Sequence, residues 1–180
     1  MPCRKKMWRV AGVSMVAALS VVITTGTANA TPALPGTAYA AGAGTAADSF
    51  TNKEFKVGAF RDPSGHTYGY AYEKNRSSRF GDFTLQGPVD CLFISGRTAY
   101  VGMRIARGTG TAAAHQGERF VIAVQDNGPL GQGDRFDNSG FINPSSGCSP
   151  PSSTNNLGQH LTSGDVVVSS GSPRELARGL

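Results

Sequence analysis

The sequence predicts an all-β domain: a single antiparallel meander of six to seven strands, closed partly into a barrel or folded as a sandwich. Three observations carry this. From Thr98 to Ala106 the chain alternates, with Ala99, Val101, Met103 and Ile105 on one face and Tyr100, Gly102, Arg104 and Ala106 on the other. A period of two is the pleat of a half-buried strand, and no stretch offers a convincing 3.6-residue helical spacing. Similar runs recur at short intervals, separated by turn chemistry, so neighbouring strands should be antiparallel. Finally, 24 glycines in 180 residues favour strong bends and bulges, which tilts the expectation toward a barrel-like sheet.

The first 30 residues read as an export signal. Arg4, Lys5, Lys6 and Arg9 precede an uncharged run, Val10 to Ile23, and Ala28-Asn29-Ala30 supplies a cleavage site. The run of 14 residues falls short of the roughly 20 that a membrane helix needs. The expectation is therefore a secreted, extracellular chain, with no membrane attachment once the signal is removed. Export also changes the charge argument. Four of the 17 Lys and Arg lie in the signal, leaving 13 against 12 Asp and Glu. The mature chain is nearly neutral, which argues against nucleic acid as a partner.

Residues 31–49 read as a low-complexity flexible segment. Ala, Gly and Thr dominate TPALPGTAYAAGAGTAAD, and so little large apolar surface offers little to offset ordering entropy. The folded β-domain is then expected over 50–170. Lys53 to Phe60 and His66 to Lys74 form a hairpin across Asp62-Pro63-Ser64-Gly65. Its first strand places Phe55, Val57 and Ala59 on one face, and its second places Tyr68, Tyr70 and Tyr72 on one face. Asn75-Arg76-Ser77 matches an N-glycosylation acceptor. Phe80 to Leu85 reads as a short strand ended by Gly87-Pro88. Val89 to Ser95, Thr98 to Ala106 and Arg119 to Gln125 form a three-strand meander closed by Asp126-Asn127-Gly128. Within it, Gly108 to Gly117 reads as a mobile hairpin loop. Asn127 to Ser153 reads as a long irregular region, followed by a short last strand, Asp165 to Ser169, and a frayed tail over 171–180.

Two cysteines, Cys91 and Cys148, remain after export. An oxidising compartment favours a disulfide over a metal site, and the pair would tie the long loop to the meander. The histidines His66, His115 and His160 lie far apart in sequence and suggest no metal site. No Gly-x-Ser-x-Gly or Ser-x-x-Lys occurs, so no catalytic residue is assigned and no cofactor is implied. Asp126, Asn127, Asp134, Asp137 and Asn138 match no calcium loop and read as turn chemistry, with Arg135 pairing locally to Asp134 and Asp137. The tyrosine stripe is the sharpest feature. Three rings at period two form either a core face or an aromatic platform for a sugar or another flat ligand.

Gly87, Val89, Cys91, Leu92, Gly96, Ala99, Val101 and Gly102, followed by Phe120, Val124, Asp126-Asn127-Gly128 and Asp134-Arg135, form a recurrent pattern. It resembles a broad group of small secreted bacterial β-domain proteins, often actinobacterial, of unassigned function. The resemblance covers roughly residues 55–169. It departs from the pattern at Pro88, Asp90 and Pro129-Leu130. Its markers are turns and strands, so it implies a fold and no activity. The sequence points to a non-enzymatic extracellular binding or interaction module, with a cell-wall glycan or small ligand contacting Tyr68, Tyr70 and Tyr72. The alternatives are a barrel enclosing a small ligand and, with no motif behind it, a secreted hydrolase.

Overall fold

The computed structural model describes residues 36–79, 81–142, 147–148 and 157–171. The signal segment therefore lies outside the described residues, as does the tail beyond Gly171. Among the described residues nine strands form: β1 (Ala38–Ala47), β2 (Thr51–Arg61), β3 (Thr67–Ser77), β4 (Phe83–Ser95), β5 (Thr98–Arg104), β6 (Arg107–Gly110), β7 (Arg119–Gln125), β8 (Arg135–Ile142) and β9 (Gln159–Ser169). Eight of them close a ring in the order β1-β2-β3-β4-β5-β7-β8-β9, and β9 returns to β1. Every pairing is antiparallel. The ninth, β6, carries on beyond a break at Ile105-Ala106 and pairs with the first half of β4. The fold is thus a closed antiparallel barrel with one extra strand.

Alternation decides what fills the barrel. Ala99, Val101, Met103 and Ile105 on β5 and just beyond it point inward, as do Phe120, Ile122 and Val124 on β7 and Phe55, Val57 and Ala59 on β2. Phe55 stacks on Phe136 of β8 across the lumen, ring centroids 4.3 Å apart at 19°. An eight-stranded barrel has room for its own side chains or for one small ligand, and burying each such ring stabilises by about 1.5–3 kcal/mol.

The meander β4-β5-β7 stands where expected, and β7 spans the expected residues. Other expectations need correction. Residues 38–47, read as part of a flexible segment, form β1 between β2 and β9. Small residues are what that position requires. Ala40 and Ala46 face a lumen already filled by Phe55, and a Cβ on Gly42 would strike the Asp165 carbonyl. The β-domain therefore starts twelve residues before 50. Gly87-Pro88 ends no strand, because β4 runs through it and exchanges partners there: β3 along its first half, β5 along its second.

Gly108 to Gly117 is not a mobile loop either. It begins as β6 and continues as a single 3-10 turn, Thr111–His115, whose Ala112 is fully buried. His115 Nδ1 lies 2.9 Å from Glu118 Oε2 at its end. The irregular region expected over 127–153 contains β8, which sends Phe136 into the core. Its Asp, Asn and Gly content reflects a bulge opposite Val121 and Ile122, where Gly140 takes φ +78°. These segments raise the strand count above six to seven.

Candidate functional site

The site grows from the β2-β3 hairpin. Asp62 builds its turn: Oδ1 accepts from the Ser64 hydroxyl (2.6 Å) and from the amides of Ser64 and His66 (each 2.9 Å). These bonds, the Ser64 hydroxyl foremost, hold the Asp62 carboxyl below its usual range. The turn pairs Arg61 with Thr67, and that register sends Gly69, Ala71, Glu73, Asn75 and Ser77 inward. The tyrosines consequently point out. Tyr68 is 47 % exposed and Tyr70 52 %, while Tyr72 is half-buried. The core-face reading of the stripe is corrected: the lumen is closed to it. Gly69, between Tyr68 and Tyr70, packs close to β2, and a Cβ there would run into the Gly58 carbonyl.

Cross-strand pairing turns the stripe into a surface. Tyr39 of β1, Phe60 of β2 and Tyr68 of β3 stand in one row. Their rings are nearly parallel, 6.4 Å apart at 25° and 5.6 Å at 19°, and His66 extends the row at 6.0 Å and 28°. The next row is Ala41, Gly58, Tyr70 and Pro88. Ala41 and Gly58 make it low on one side, so Tyr70 rises from a floor. The third row is Ala43, Lys56, Tyr72 and Gln86. Lys56 places Nζ over the Tyr72 ring, 5.8 Å from its centroid. Burial, and then the Glu54 carboxylate in the fourth row, push the Tyr72 hydroxyl above its ordinary value. An open cleft of about 560 Å³ lies between Lys56, Gly58, Tyr70, Tyr72 and Gln86. Apolar ring faces beside a lysine, an amide and phenol hydroxyls suit a flat ligand with hydroxyl groups.

Arg61, which flanks the hairpin, directs one donor away from this face, to the Leu92 carbonyl at 3.1 Å. The histidines share no site: His66 stacks on Tyr68, His115 meets Glu118, and His160 pairs with Arg135 in the β8-β9 ladder. Among the described residues no group of three or more His, Cys, Asp or Glu could hold a metal.

The acidic residues of the Asp126–Asn138 region are built into the fold. Asp134 is fully buried, and its two oxygens accept from the amides of Asn127 (2.9 Å) and Val166 (3.0 Å). Asp126 Oδ2 accepts from the Val168 amide at 3.3 Å. The Asp-Asn-Gly and Asp-Arg markers therefore lock β9 against the end of β7. Arg135 does not form the local ion pair expected with its aspartate neighbours; it donates to the Leu157 carbonyl at 3.0 Å.

Cys91 and Cys148 stand at disulfide distance, Cα atoms 5.8 Å apart and 57 residues apart in sequence. They lie over Gly102, where a Cβ would come within 3.0 Å of Cys148 Sγ. Beside them Arg119 grips Asp90 with two bonds of 3.0 Å, and Arg104 adds a third at 3.2 Å. Leu157 completes a small outer cluster with Tyr100, Val121 and Ala123. Cys148 and Leu157 are thus both held against the outer wall of the meander.

One group of residues escaped the sequence reading. On β3, Glu73, Asn75 and Ser77 continue the inward face of Gly69 and Ala71, and Asn75 is 5 % exposed, which withdraws the glycosylation acceptor from the surface. The signal was present: if the tyrosines point out, the residues between and beyond them point in. The molecule is, by its geometry, a closed barrel with an aromatic outer face and a polar patch inside. Compared with protein-family models, with curated proteins and with solved structures, the chain matches none.

Proposed function

We propose that the chain is exported and acts outside the cell as a non-enzymatic binding module, whose outer aromatic face takes a cell-wall glycan. The observation that carries this reading is the placement of the tyrosines on an open face. Five aromatic side chains and a histidine share the outside of β1 to β3, with Tyr68 and Tyr70 about half exposed. An outer surface needs no such rings for solubility, and clustered exposed apolar surface marks an interaction site. Export accords with the basic N-terminal segment and with the cysteine pair at disulfide distance. No helix among the described residues is long and apolar enough to cross a membrane.

The test is co-sedimentation of the mature protein with insoluble cell-wall glycan. Tyr70→Ala and Tyr68→Ala should each weaken binding about tenfold, equivalent to about 1.4 kcal/mol. Because both side chains are half exposed, stability should change by less than about 1 kcal/mol. Wild-type protein that stays in the supernatant, or variants that sediment as well as wild type, would count against the reading.

A further inference from the structure

The barrel lumen carries a separate feature. Of the nine buried polar or charged side chains among the described residues, six gather at one end of it: Thr51, Lys53, Glu73, Asn75, Ser77 and Gln159. Three of these hold an oxygen with no hydrogen-bond partner: Glu73 Oε2, Asn75 Oδ1 and Gln159 Oε1. Glu73 and Gln159 are fixed in place by their other polar atoms. Glu73 Oε1 accepts from Asn138 Nδ2 at 2.6 Å. Gln159 Nε2 donates to Thr51 Oγ1 at 3.1 Å and also to Asp48. Lys53 sits opposite Asn75 in the β2-β3 ladder, with Nζ 4.0 Å from Asp137 Oδ1, beyond direct hydrogen-bond reach. Its ammonium lies over the Phe136 ring, 5.6 Å from the centroid.

Buried polar groups without partners are costly and uncommon. Three unpartnered oxygens, one of them on a carboxyl that takes up a proton as pH falls through about 7, stand near an ammonium with no close acceptor; they need a partner that both donates and accepts, and a hydroxyl does both. A metal ion would suit the oxygens but be repelled by Lys53. An anion would suit Lys53 but be repelled by Asp137. Lys53 and Asp137 balance one another, and burial disfavours the charged form of Glu73, which leaves the site suited to an uncharged guest.

We propose that this polar end of the lumen is a second binding site, and that its guest is a small neutral polyol or free sugar. The guest's hydroxyl hydrogens meet Asn75 and Gln159, a hydroxyl oxygen accepts from Lys53, and a further hydroxyl, able to donate or accept, pairs with Glu73 Oε2. Phe136, stacked on Phe55, walls the apolar side. The site is separate from the outer face, because Glu73 and Tyr72 are neighbours that point to opposite sides of β3.

The experiment titrates glycerol and glucose into isotope-labelled mature protein and follows the side-chain amide signals of Asn75, Asn138 and Gln159 by NMR. One or both probes should shift these signals saturably. Asn75→Leu, which removes one acceptor, should weaken binding at least tenfold, while Tyr70→Ala should leave it unchanged. Should Asn75→Leu fail to fold, Glu73→Gln serves instead. Measured above about pH 7, where the wild-type carboxyl is ionised, the variant keeps its carbonyl toward Asn138 and replaces the acceptor Oε2 with an amide donor, and binding should again weaken. Signals that neither probe moves, meaning a lumen end that holds water alone, would overturn the proposal. So would equal affinity in the folded acceptor variant.

Discussion

Glu73 is the residue most at odds with its surroundings. It is wholly buried, and burial raises its carboxyl to about 7, against the opposing pull of Lys53 and the Asn138 amide; Asp137 raises it slightly further. In the unfolded chain the group returns to about 4.5. Between these values the native state holds a proton that the unfolded state has lost. Stability from Glu73 is therefore full below about pH 4.5 and declines as pH rises through about 7. A shift of this size corresponds to on the order of 3 kcal/mol. Urea unfolding at a series of pH values should show that decline in wild type and lose it in Glu73→Gln. A variant with the same slope as wild type would assign the pH dependence elsewhere. Such a residue is hard to read from sequence. Its inward direction is set by the Asp62 turn, and the usual expectation that large aromatics turn in and carboxylates turn out pointed the other way at Tyr68, Tyr70, Tyr72 and Glu73.

At the scale of elements, the disulfide gives the clearest consequence. The pair closes a loop of 57 residues around β5, β7 and β8. Chain entropy alone assigns such a crosslink roughly 4 kcal/mol. The Cys91→Ser, Cys148→Ser double variant should keep the barrel ladder and lose about 2–4 kcal/mol in denaturant unfolding. Free thiols in the folded, unreduced mature protein would contradict the bond. This tie was legible from the two cysteines that lie outside the segment read as an export signal. The meander was legible too, because Ala99 to Ile105 and Phe120 to Val124 alternate over strands with one face in the core. The elements that escaped share a different property: their composition reflects the space a neighbour leaves. Alanines and glycines of β1 fit beside Phe55 and the Asp165 carbonyl, and Gly140 serves a bulge in β8. Intrinsic propensity cannot register such constraints, because they originate in another strand.

On the scale of the whole molecule, closure sorts the side chains. Eight strands leave a lumen that Phe55, Phe120, Phe136 and Leu85 fill at its apolar part. The aromatic surplus of β1 to β3 stands outside, and the polar surplus of β2 and β3 stands at one end inside. The outer face lies on β1 to β3, while Cys148 and Leu157 pack against the outside of β5 and β7, so a ligand on the first leaves the second untouched. The most direct measurement is a backbone NMR titration of the mature protein with a soluble fragment of cell-wall glycan. The account predicts saturable shifts centred on Lys56, Gly58, Tyr68, Tyr70 and Tyr72, with Tyr100, Val121 and Ala123 unmoved. Shifts centred on β5 and β7, or none at concentrations that saturate co-sedimentation, would contradict it.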